Sequence, residues 1–337
     1  MKSLPAKYIV RLGKFVWTTM WQIMMSQLAP ANKTGEYIRP ESQFRNTVSN
    51  TADASHPIAS KRYRLFVGMG CPWAHRTLVV RVLKGLEDAI AVSLVYPSPD
   101  EGIWLLKTPF EGCNTVPELY KLARSGYRGR CTVPILWDDE TKTIVNNESA
   151  EIIEILNSQF ARFAKNPHVD LYPEASKEDI DRWNQKIYHT VNNGVYRCGF
   201  AQTQTAYEKA CKELFATLDE IDGLLATQRY LCGDFVTLAD VRLFTTLVRF
   251  DAVYYGLFKC SIRRIQDYQN LWGYLKDLYQ LPGVAATSDL SSIKQDYYGN
   301  LFPLNPGGII PLGFDEANFQ QPHNRDRLQQ LSPQKSN

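Results

Sequence analysis

The chain has 337 residues and a formal net charge of +3, and this length predicts about two domains. The small net charge, without a basic run interleaved with aromatic residues, argues against a nucleic-acid-binding function. The seven cysteines show no C-x-x-C spacing, which excludes a zinc ribbon and a dithiol redox motif. A chain of this length does not depend on a disulfide framework, so we expect a reducing compartment and place the protein in the cytoplasm.

Residues 1–60 are predicted to form an N-terminal extension. Its first 35 residues contain five bases and no acid. The apolar stretch within it is interrupted by Arg11 and Lys14, so it lacks the run of about 20 apolar residues that a membrane span needs. We expect an amphipathic arm that packs on the protein or on a second subunit. A transit segment for an organelle and a membrane-surface helix are the alternatives, and Trp17 and Trp21, four residues apart, suit either.

Residues 61–165 alternate between strand-like and helix-like patterns. Pro72 suits the first turn of the first helix, and a strand–helix–strand unit predicts parallel pairing of the two strands. The long segment 96–131 is expected to be functional or to carry a short helix. The order of elements predicts an α/β thioredoxin-like domain. The predicted elements are a strand at 63–67, a helix at 72–86, strands at 90–95, 132–137 and 143–147, and a helix at 148–160.

Residues 175–290 show helical periodicity only, which predicts an all-α C-terminal domain. One of these helices opens with Thr237-x-x-Asp240, a pattern typical of an N-terminal capping box and therefore structural. Residues 291–337 are rich in Pro, Gly, Gln and Asn and are predicted to form a C-terminal tail.

The stretch GMGCPWAHR, residues 68–76, places Cys71 where a strand meets a helix. A thiol there points at the free N–H groups of the first helical turn, which stabilise an anion. His75 and Arg76 lie in the same turn and favour a nearby negative charge. We therefore expect the pKa of Cys71 to be lowered and the thiol to be reactive; a buried, inert cysteine is the alternative.

Ala74 stands where a dithiol site would carry its second cysteine, three residues after the first. A catalytic Cys71 cannot resolve a mixed disulfide inside the protein and must hand it to an external thiol. Glutathione is the abundant cytosolic candidate.

A glutathione site needs an extended backbone edge, an anion cradle and side walls. Val133 precedes Pro134 and is held extended by it, so its N–H and C=O can pair with a peptide; in thioredoxin-like folds this proline is usually cis and faces the active cysteine. Glu148 and Ser149 lie at the start of a helix, where free N–H groups and a hydroxyl bind carboxylate. A plain helix cap is the alternative role for Ser149.

Two further residues are candidates for the same site. Trp104, in the long segment, would form a wall, and Arg130 would hold a carboxylate, although an ordinary exposed arginine is equally compatible with the sequence. A glycine-rich dinucleotide fingerprint is missing from the sequence, so we expect no nicotinamide cofactor.

Five segments together resemble the glutathionyl-hydroquinone reductases, the Xi class of glutathione transferases. The resemblance spans about residues 36–315 and lies in GCPWAHRT, TVPILWD, IVNNESAEII, NNGVYRCGFA and RFDAVYYGLFKC. It implies a thioredoxin-like N-terminal domain, an all-helical C-terminal domain of the glutathione-transferase type, assembly as a homodimer, glutathione as cosubstrate and no metal.

The resemblance also implies residue roles. Cys71 would be the nucleophile, and an aromatic pocket would suit a flat quinol ring, with phenolic groups donating to its hydroxyls; core packing is the alternative for any one tyrosine. The chain departs from the HYY pattern of the family by carrying Asp296, which affects the polarity of the pocket. The implied glutathione-binding residues are Trp104, Val133, Glu148 and Ser149, and the implied acceptor-pocket residues are Tyr196, Tyr254, and Tyr297 or Tyr298.

The reaction we hypothesise is reductive cleavage of a glutathionyl-hydroquinone. The Cys71 thiolate attacks the glutathione sulfur, the quinol leaves, and a second glutathione releases oxidised glutathione from the mixed disulfide. An omega-like thioltransferase or dehydroascorbate reductase would share Cys71 and differ in substrate. A non-catalytic interaction module of the glutathione-transferase type and a conjugating transferase are the remaining alternatives.

Overall fold

The computed structural model describes residues 5–329, and its N-terminal half contains a six-stranded mixed sheet. The strand order is β4-β3-β2-β1-β5-β6, with β1 parallel to β2 and the other neighbours antiparallel. The strands are β1 (Tyr63–Gly68), β2 (Ile90–Pro97), β3 (Trp104–Phe110), β4 (Cys113–Thr115), β5 (Ile135–Asp138) and β6 (Thr143–Asn146).

The helix between β1 and β2 makes the crossover that parallel strands require. This is α2, and it is almost entirely buried. The hairpin β5–β6 and the following helix complete the predicted thioredoxin-like arrangement. The helices of this half are α1 (Ala6–Leu28), α2 (Pro72–Lys84), α3 (Val116–Ala123) and α4 (Ser149–Ser158).

The segment 96–131 contains more structure than its sequence indicates. It holds α3 and also β3 and β4, which extend the sheet antiparallel to β2. Most residues of β3 are exposed or half-buried, so the strand lacks the apolar alternation by which a strand is recognised.

The C-terminal half is entirely helical among the described residues, which confirms the predicted fold class. Two short π-helical segments, Tyr188–Asn192 and Phe250–Tyr254, each continue the helix before them. The predicted tail begins inside a helix that packs into this half. The helices are α5 (Lys177–Ile187), α6 (Gly194–Gly199), α7 (Gln204–Leu224), α8 (Leu238–Arg249), α9 (Tyr255–Leu257), α10 (Leu271–Tyr279), α11 (Leu290–Asn300) and α12 (Asp326–Gln329).

The capping box at the start of α8 is confirmed. The backbone N–H of Thr237 donates to Asp240 Oδ2 at 2.8 Å, and the hydroxyl of Tyr274 donates to Asp240 Oδ1 at 2.7 Å. All hydrogen bonds of this buried carboxylate serve the fold, as the sequence pattern predicted.

The N-terminal helix α1 does not pack along the rest of its own chain. Residues 6–20 are all exposed, and Met25 is the one buried residue of the helix. Among residues 6–20, Trp17 has a ring contact with Phe302, with centroids 6.2 Å apart. The expectation that the arm packs on its own protein is therefore wrong for most of residues 6–20, and packing on a second subunit stays a prediction. None of the helices in residues 5–329 combines the length and the apolar character that crossing a bilayer requires.

Residues 29–62 are irregular but pinned to the sheet domain. The backbone N–H of Phe44 donates to Asn147 Oδ1 at 3.1 Å, and Arg45 forms an isolated bridge with Asn146 of β6. This path carries Arg39 to the N-terminal turn of α2, where its guanidinium lies 3.9 Å from the ring centroid of Trp73.

Candidate active site

Cys71 occupies the N-cap position of α2, and Pro72 follows in its first turn. Its Sγ lies 3.5 Å from the carbonyl oxygen of Val133. The Val133–Pro134 peptide bond is cis, as the resemblance implies. The thiol therefore faces the β5-side loop that carries this proline, and it is half-buried.

The two glycines before Cys71 are required by close approaches. A Cβ on Gly68 would lie 2.5 Å from the ring of Trp104, and a Cβ on Gly70 would lie 2.2 Å from Asp296 Oδ2. No side chain fits at such distances without moving its neighbour. The pattern G-x-G-C thus lets an aromatic wall and a carboxylate close in on the thiol.

The electrostatic environment of Cys71 differs from the sequence-based expectation. Burial raises the pKa of the thiol, against the lowering effect of the Ala74 and Trp73 backbone N–H groups and of the Arg249 and Arg39 guanidiniums. The net direction is upward, because desolvation of an anion outweighs the nearby dipoles and charges. The N–H groups of the helix terminus do lower the pKa, as expected, but the expectation of a net lowered pKa for Cys71 is wrong because burial has the larger effect.

His75 is not a cation beside the thiol, which corrects a second part of that expectation. Its ring is buried, with Nδ1 at 2.8 Å from Arg249 Nη1 and Nε2 at 2.8 Å from Thr287 Oγ1. An arginine only donates, so Nδ1 accepts and Nε2 carries the hydrogen. Burial and the Arg249 charge hold the pKa of His75 well below its ordinary value, so the ring is neutral.

Arg249, at the end of α8, fixes the backbone that leads into Cys71. Its guanidinium donates to the carbonyl oxygens of Gly70 at 3.0 Å and Met69 at 2.9 Å, and also to Thr245 O at 2.8 Å. This fully buried cation joins the helical domain to the G-x-G-C turn. Sequence reasoning missed it, although an arginine within an otherwise apolar helix was an available signal.

A cavity of about 340 Å³ lies along the cis-proline loop and the start of α4. Cys71 does not line it, but Val133, whose carbonyl oxygen lies 3.5 Å from the thiol, does. Val133, Pro134, Glu148 and Ser149 all line it. Glu148 caps α4 by accepting from the Ala150 backbone N–H at 3.2 Å. The structure thus brings together the sequence-predicted backbone edge and anion cradle.

Four arginines border this cavity or stand behind it: Arg39, Arg128 and Arg130 line it, and Arg76 lies behind Ser149. Arg130 is exposed and lines both this cavity and the next. Arg76 is buried and donates to Ser149 Oγ at 3.3 Å and to Asn192 Oδ1 at 2.6 Å. Burial lowers the pKa of Arg76 to about 9, so it remains charged at neutral pH. With Arg39 and Arg128, which the sequence analysis did not identify, they give the cavity a positive potential suited to carboxylates.

A second cavity, of about 330 Å³, lies beside Cys71. Trp104, Tyr196 and Tyr297 line it, together with the thiol itself. The ring of Tyr196 stacks near that of Trp73, with centroids 6.3 Å apart and planes at 28°. Its aromatic walls match the size and flatness of a small ring system.

Three tyrosine hydroxyls form a chain at the base of the second cavity. Tyr297 Oη lies 2.5 Å from Tyr196 Oη and 2.9 Å from Tyr254 Oη. Burial raises the pKa of Tyr254 to about 12 and that of the other two still further, so all three are neutral donors. Tyr254 is fully buried behind Tyr297 and does not line the cavity; its ring also lies 6.1 Å from that of Tyr196.

Tyr297 and Tyr298 were left as alternatives by the sequence, and their side chains point in different directions. Tyr297 lines the cavity. Tyr298 does not line it, and its hydroxyl lies 3.5 Å from Val253 O. Successive helical residues are about 100° apart around the axis, so the two cannot face the same space.

Asp296 also lines the second cavity, and its Oδ2 accepts from the backbone N–H of Gly70 at 3.0 Å. Burial raises the pKa of this carboxyl to about 6. The departure from the family pattern noted in the sequence thus places a titratable group directly on the turn that carries Cys71. Within residues 5–329, no three His, Cys, Asp or Glu side chains are grouped so as to hold a metal ion.

Comparison with known proteins agrees with this geometry. Residues 70–159 match the family described as glutathione S-transferase, N-terminal domain, and residues 204–277 match glutathione S-transferase, C-terminal domain. The fold and these matches therefore define the chain as a glutathione transferase.

Three similar proteins identify the class of glutathione transferase more closely. Glutathionyl-hydroquinone reductase YqjG of Escherichia coli is 45% identical over 308 residues, which cover 87% of this chain and 93% of YqjG. Glutathionyl-hydroquinone reductase PcpF of Sphingobium chlorophenolicum is 44% identical over 305 residues, covering 88% and 94%. The solved Xi-class glutathione transferase of Natrialba magadii superposes with a TM-score of 0.80 at 45% identity, covering 87% of this chain and 95% of that one. The chain belongs to the Xi-class glutathione transferases, the family that contains the glutathionyl-hydroquinone reductases.

Proposed function

We propose that this protein is a glutathione-dependent reductase that converts glutathionyl-hydroquinones to hydroquinones and oxidised glutathione. The observation that carries the proposal is that Cys71 lines the second cavity, while Val133, whose carbonyl oxygen lies 3.5 Å from the Cys71 Sγ, also lines the first cavity, which has a different character. One cavity is bordered by arginines and a helix terminus, and the other is walled by aromatic rings. A conjugate of a charged tripeptide with an aromatic ring has the same two-part character, with its sulfur at the junction.

Glutathione is assigned to the first cavity. Val133 offers its backbone to the cysteinyl part of the tripeptide, and Glu148 pairs with the γ-glutamyl ammonium. Ser149 at the start of α4 and Arg130 at the rim bind the carboxylates. Trp104, which the sequence analysis counted among the glutathione-binding residues, lines the second cavity instead, so it contacts glutathione only at the thiol end. Supporting this assignment, YqjG has also been solved in a glutathione-bound form, and that structure superposes with a TM-score of 0.79 at 44% identity, covering 84% of this chain and 96% of that one.

In the first step, the sulfur of Cys71 attacks the sulfur of the conjugate. A disulfide forms between Cys71 and glutathione, the bond between sulfur and ring carbon breaks, and its electron pair remains on the ring. That carbon must take up one proton to give the free hydroquinone. The glutathionyl sulfur is thereby oxidised and the ring reduced.

The raised pKa of Cys71 bears on this proton. A neutral thiol loses one proton as it attacks, and the ring carbon gains one, so the step balances without exchange with solvent. The Tyr196 hydroxyl is placed to pass this proton to the ring carbon, because Tyr196 lines the cavity and is hydrogen-bonded to Tyr297 behind it. We assign Tyr196 as the proton donor to the ring and Tyr297 as the group that polarises it.

In the second step, a second glutathione thiolate attacks the mixed disulfide, releasing oxidised glutathione and restoring Cys71. Among the described residues that line the two cavities, Cys71 is the single cysteine, and Ala74 occupies the position of a resolving thiol. This arrangement favours an external reductant over an internal disulfide.

The decisive experiment combines mass spectrometry with turnover. After incubation with oxidised glutathione, one adduct of glutathione mass should map to Cys71, and Cys71→Ser should carry none. Cys131→Ser is the matched control, because Cys131 is another half-buried free cysteine in the segment before the cis-proline. The Cys71→Ser protein should not turn over a glutathionyl-hydroquinone. Faster turnover of dehydroascorbate than of the conjugate would instead indicate an omega-like reductase.

We further propose that the enzyme works as a homodimer in a reducing compartment, the cytoplasm. The seven cysteines are all free, which supports the compartment. Light scattering after size-exclusion chromatography tests the assembly; a mass equal to one chain would reject the dimer.

A further inference from the structure

We propose that helix α1 docks the protein on an anionic lipid surface, lying in the plane of the headgroups. The inference goes beyond the proposed function and does not depend on it. Its starting point is exposure: residues 6–20 are all exposed to solvent, and they include large apolar side chains such as Leu12 at 66% and Phe15 at 69%. A solvated helix does not ordinarily present such a surface.

The basic residues of α1 lie on one narrow stripe. Lys7, Arg11 and Lys14 follow each other at spacings of four and three, so they lie on one face of the helix. Thr18 and Gln22 continue the same stripe. A basic stripe on an otherwise apolar helix is typical of helices that lie at a membrane interface.

The apolar side chains occupy the rest of the circumference. At 100° per residue, the apolar positions between 8 and 23 cover roughly two thirds of the helix, interrupted by Gly13 and Thr19. A single partner helix would cover an arc of only about 100°. A lipid interface surrounds a much wider arc, with the basic stripe left among the headgroups.

Charge complementarity favours lipid over a second copy of this chain. Residues 1–35 contain five bases and no acid, so two copies of the arm would bring like charges together. An anionic headgroup region neutralises the stripe, and each basic residue near such a surface strengthens binding about fivefold. The length of α1, 23 residues, spans about 34 Å along the surface.

The docking helix is continuous with the second cavity. Leu28, the last residue of α1, lines that cavity. At the middle of the helix, the ring of Trp17 lies 6.2 Å from that of Phe302, which directly follows the cavity-lining Leu301. A protein docked through α1 therefore holds the mouth of this cavity beside the lipid.

The test is co-sedimentation of the full-length chain with vesicles. We expect binding to vesicles of equal parts phosphatidylcholine and phosphatidylglycerol, and release at high salt. Replacing the stripe by glutamine (Lys7→Gln, Arg11→Gln and Lys14→Gln together) should weaken this binding about 100-fold. The double variant Leu12→Glu with Phe15→Glu should abolish it. Ile262→Glu is the matched control, because Ile262 is an equally exposed aliphatic residue, at 64%, outside the helix.

Three results would overturn the proposal. The first is a parent protein that stays in the supernatant with anionic vesicles. The second is a Leu12→Glu/Phe15→Glu variant that binds vesicles as the parent does. The third is a variant in which these substitutions dissociate a dimer, measured by sedimentation velocity, without changing vesicle binding, which would assign the apolar arc to a second copy of the chain. Turnover of a water-soluble glutathionyl-hydroquinone should be equal in parent and variant. Equal turnover shows that the variant is folded and that the loss of vesicle binding has another cause. A parent that binds vesicles but has no such turnover would reject the proposed function and support lipid docking.

Discussion

Replacing Tyr297 by phenylalanine removes one oxygen from the centre of the tyrosine chain. That oxygen is hydrogen-bonded to Tyr196 on the cavity side and to Tyr254 on the buried side. Tyr298 is the adjacent residue on α11, and Tyr298→Phe is the natural control, because it deletes the same atom from a neighbouring buried side chain.

The two variants should differ in stability. In Tyr297→Phe, the Tyr254 hydroxyl is left in a fully buried position without its 2.9 Å partner, and such an unsatisfied group costs about 1–3 kcal/mol. In Tyr298→Phe, the lost contact to Val253 O is 3.5 Å long, at the outer limit of a hydrogen bond. Its loss should cost about 0.5 kcal/mol. Urea denaturation measures both free energies of unfolding.

The difference in turnover should be larger. Without Tyr297, the Tyr196 hydroxyl is no longer polarised or oriented for proton donation, and loss of a positioned general acid typically lowers a rate about 100-fold or more. We expect this loss in kcat for a glutathionyl-hydroquinone, with glutathione binding unchanged because Tyr297 does not line the first cavity. Tyr298→Phe should retain nearly full kcat.

Equal turnover by the two variants would refute this reasoning. So would a Tyr297→Phe enzyme with normal kcat and a raised KM for glutathione, since that result would assign the hydroxyl to glutathione binding. A stability loss of the same size in both variants would show that the Tyr254 hydroxyl finds another partner.

Three further predictions concern the turn before Cys71. The pKa of Asp296 is about 6 in the folded chain and lies above the ordinary 3.8, so between these pH values the folded chain binds a proton that the unfolded chain has lost. The free energy of unfolding, relative to that of Asp296→Asn, should therefore fall as pH rises from 4 to 6. Urea denaturation measures both. Gly70→Ala should lower turnover, because its Cβ would overlap both the Cβ and Oδ2 of Asp296; Asp296→Gly should rescue it and Asp296→Ala should not. Arg249→Lys should destabilise the fold by about 2 kcal/mol or more, because an ammonium cannot reach all four acceptors of the guanidinium.

Each of these has a contrary outcome. A stability difference between Asp296 and Asp296→Asn that does not vary over this pH range would show that the carboxyl titrates normally. Rescue of Gly70→Ala by Asp296→Ala would mean that the carboxylate of Asp296, and not its Cβ, is what leaves no room for a side chain at position 70. A fully stable Arg249→Lys protein would show that the Met69 and Gly70 carbonyls need no fixed donor.

The sequence predicted those features that depend on local pattern. The strand–helix junction at Cys71, the hairpin before α4 and the capping box at Thr237 all follow from residues adjacent in the chain. Val133, Glu148 and Ser149 were found in the same way, because backbone geometry at a proline and free N–H groups at a helix start are local properties.

What the sequence missed depends on distant contacts. β3 carries few buried residues although it lies between β2 and the edge strand β4, so no apolar alternation marks it. Arg39 reaches Trp73 by an irregular path, and Arg249 reaches the G-x-G-C turn from another domain. Neither periodicity nor spacing encodes such a meeting.

The pKa of the Cys71 thiol also depends on distant contacts that the sequence does not reveal. The helix terminus beside Cys71 is visible in the sequence, but desolvation by surrounding groups is not, and desolvation has the larger effect on its pKa. For His75, burial lowers the pKa most, and the charge that lowers it further belongs to Arg249, 174 residues away.

A single sulfur lines the second cavity beside a residue that both cavities share, and this position also dictates the order of traffic. Displacement at sulfur is collinear, so the ring must depart on the side opposite Cys71, and the second thiol must arrive along that same line. The ring and the second glutathione therefore occupy the same position one after the other, and the hydroquinone must leave it before the second glutathione binds. A double-displacement scheme follows, with parallel double-reciprocal plots, and accumulated hydroquinone should inhibit competitively against the second glutathione.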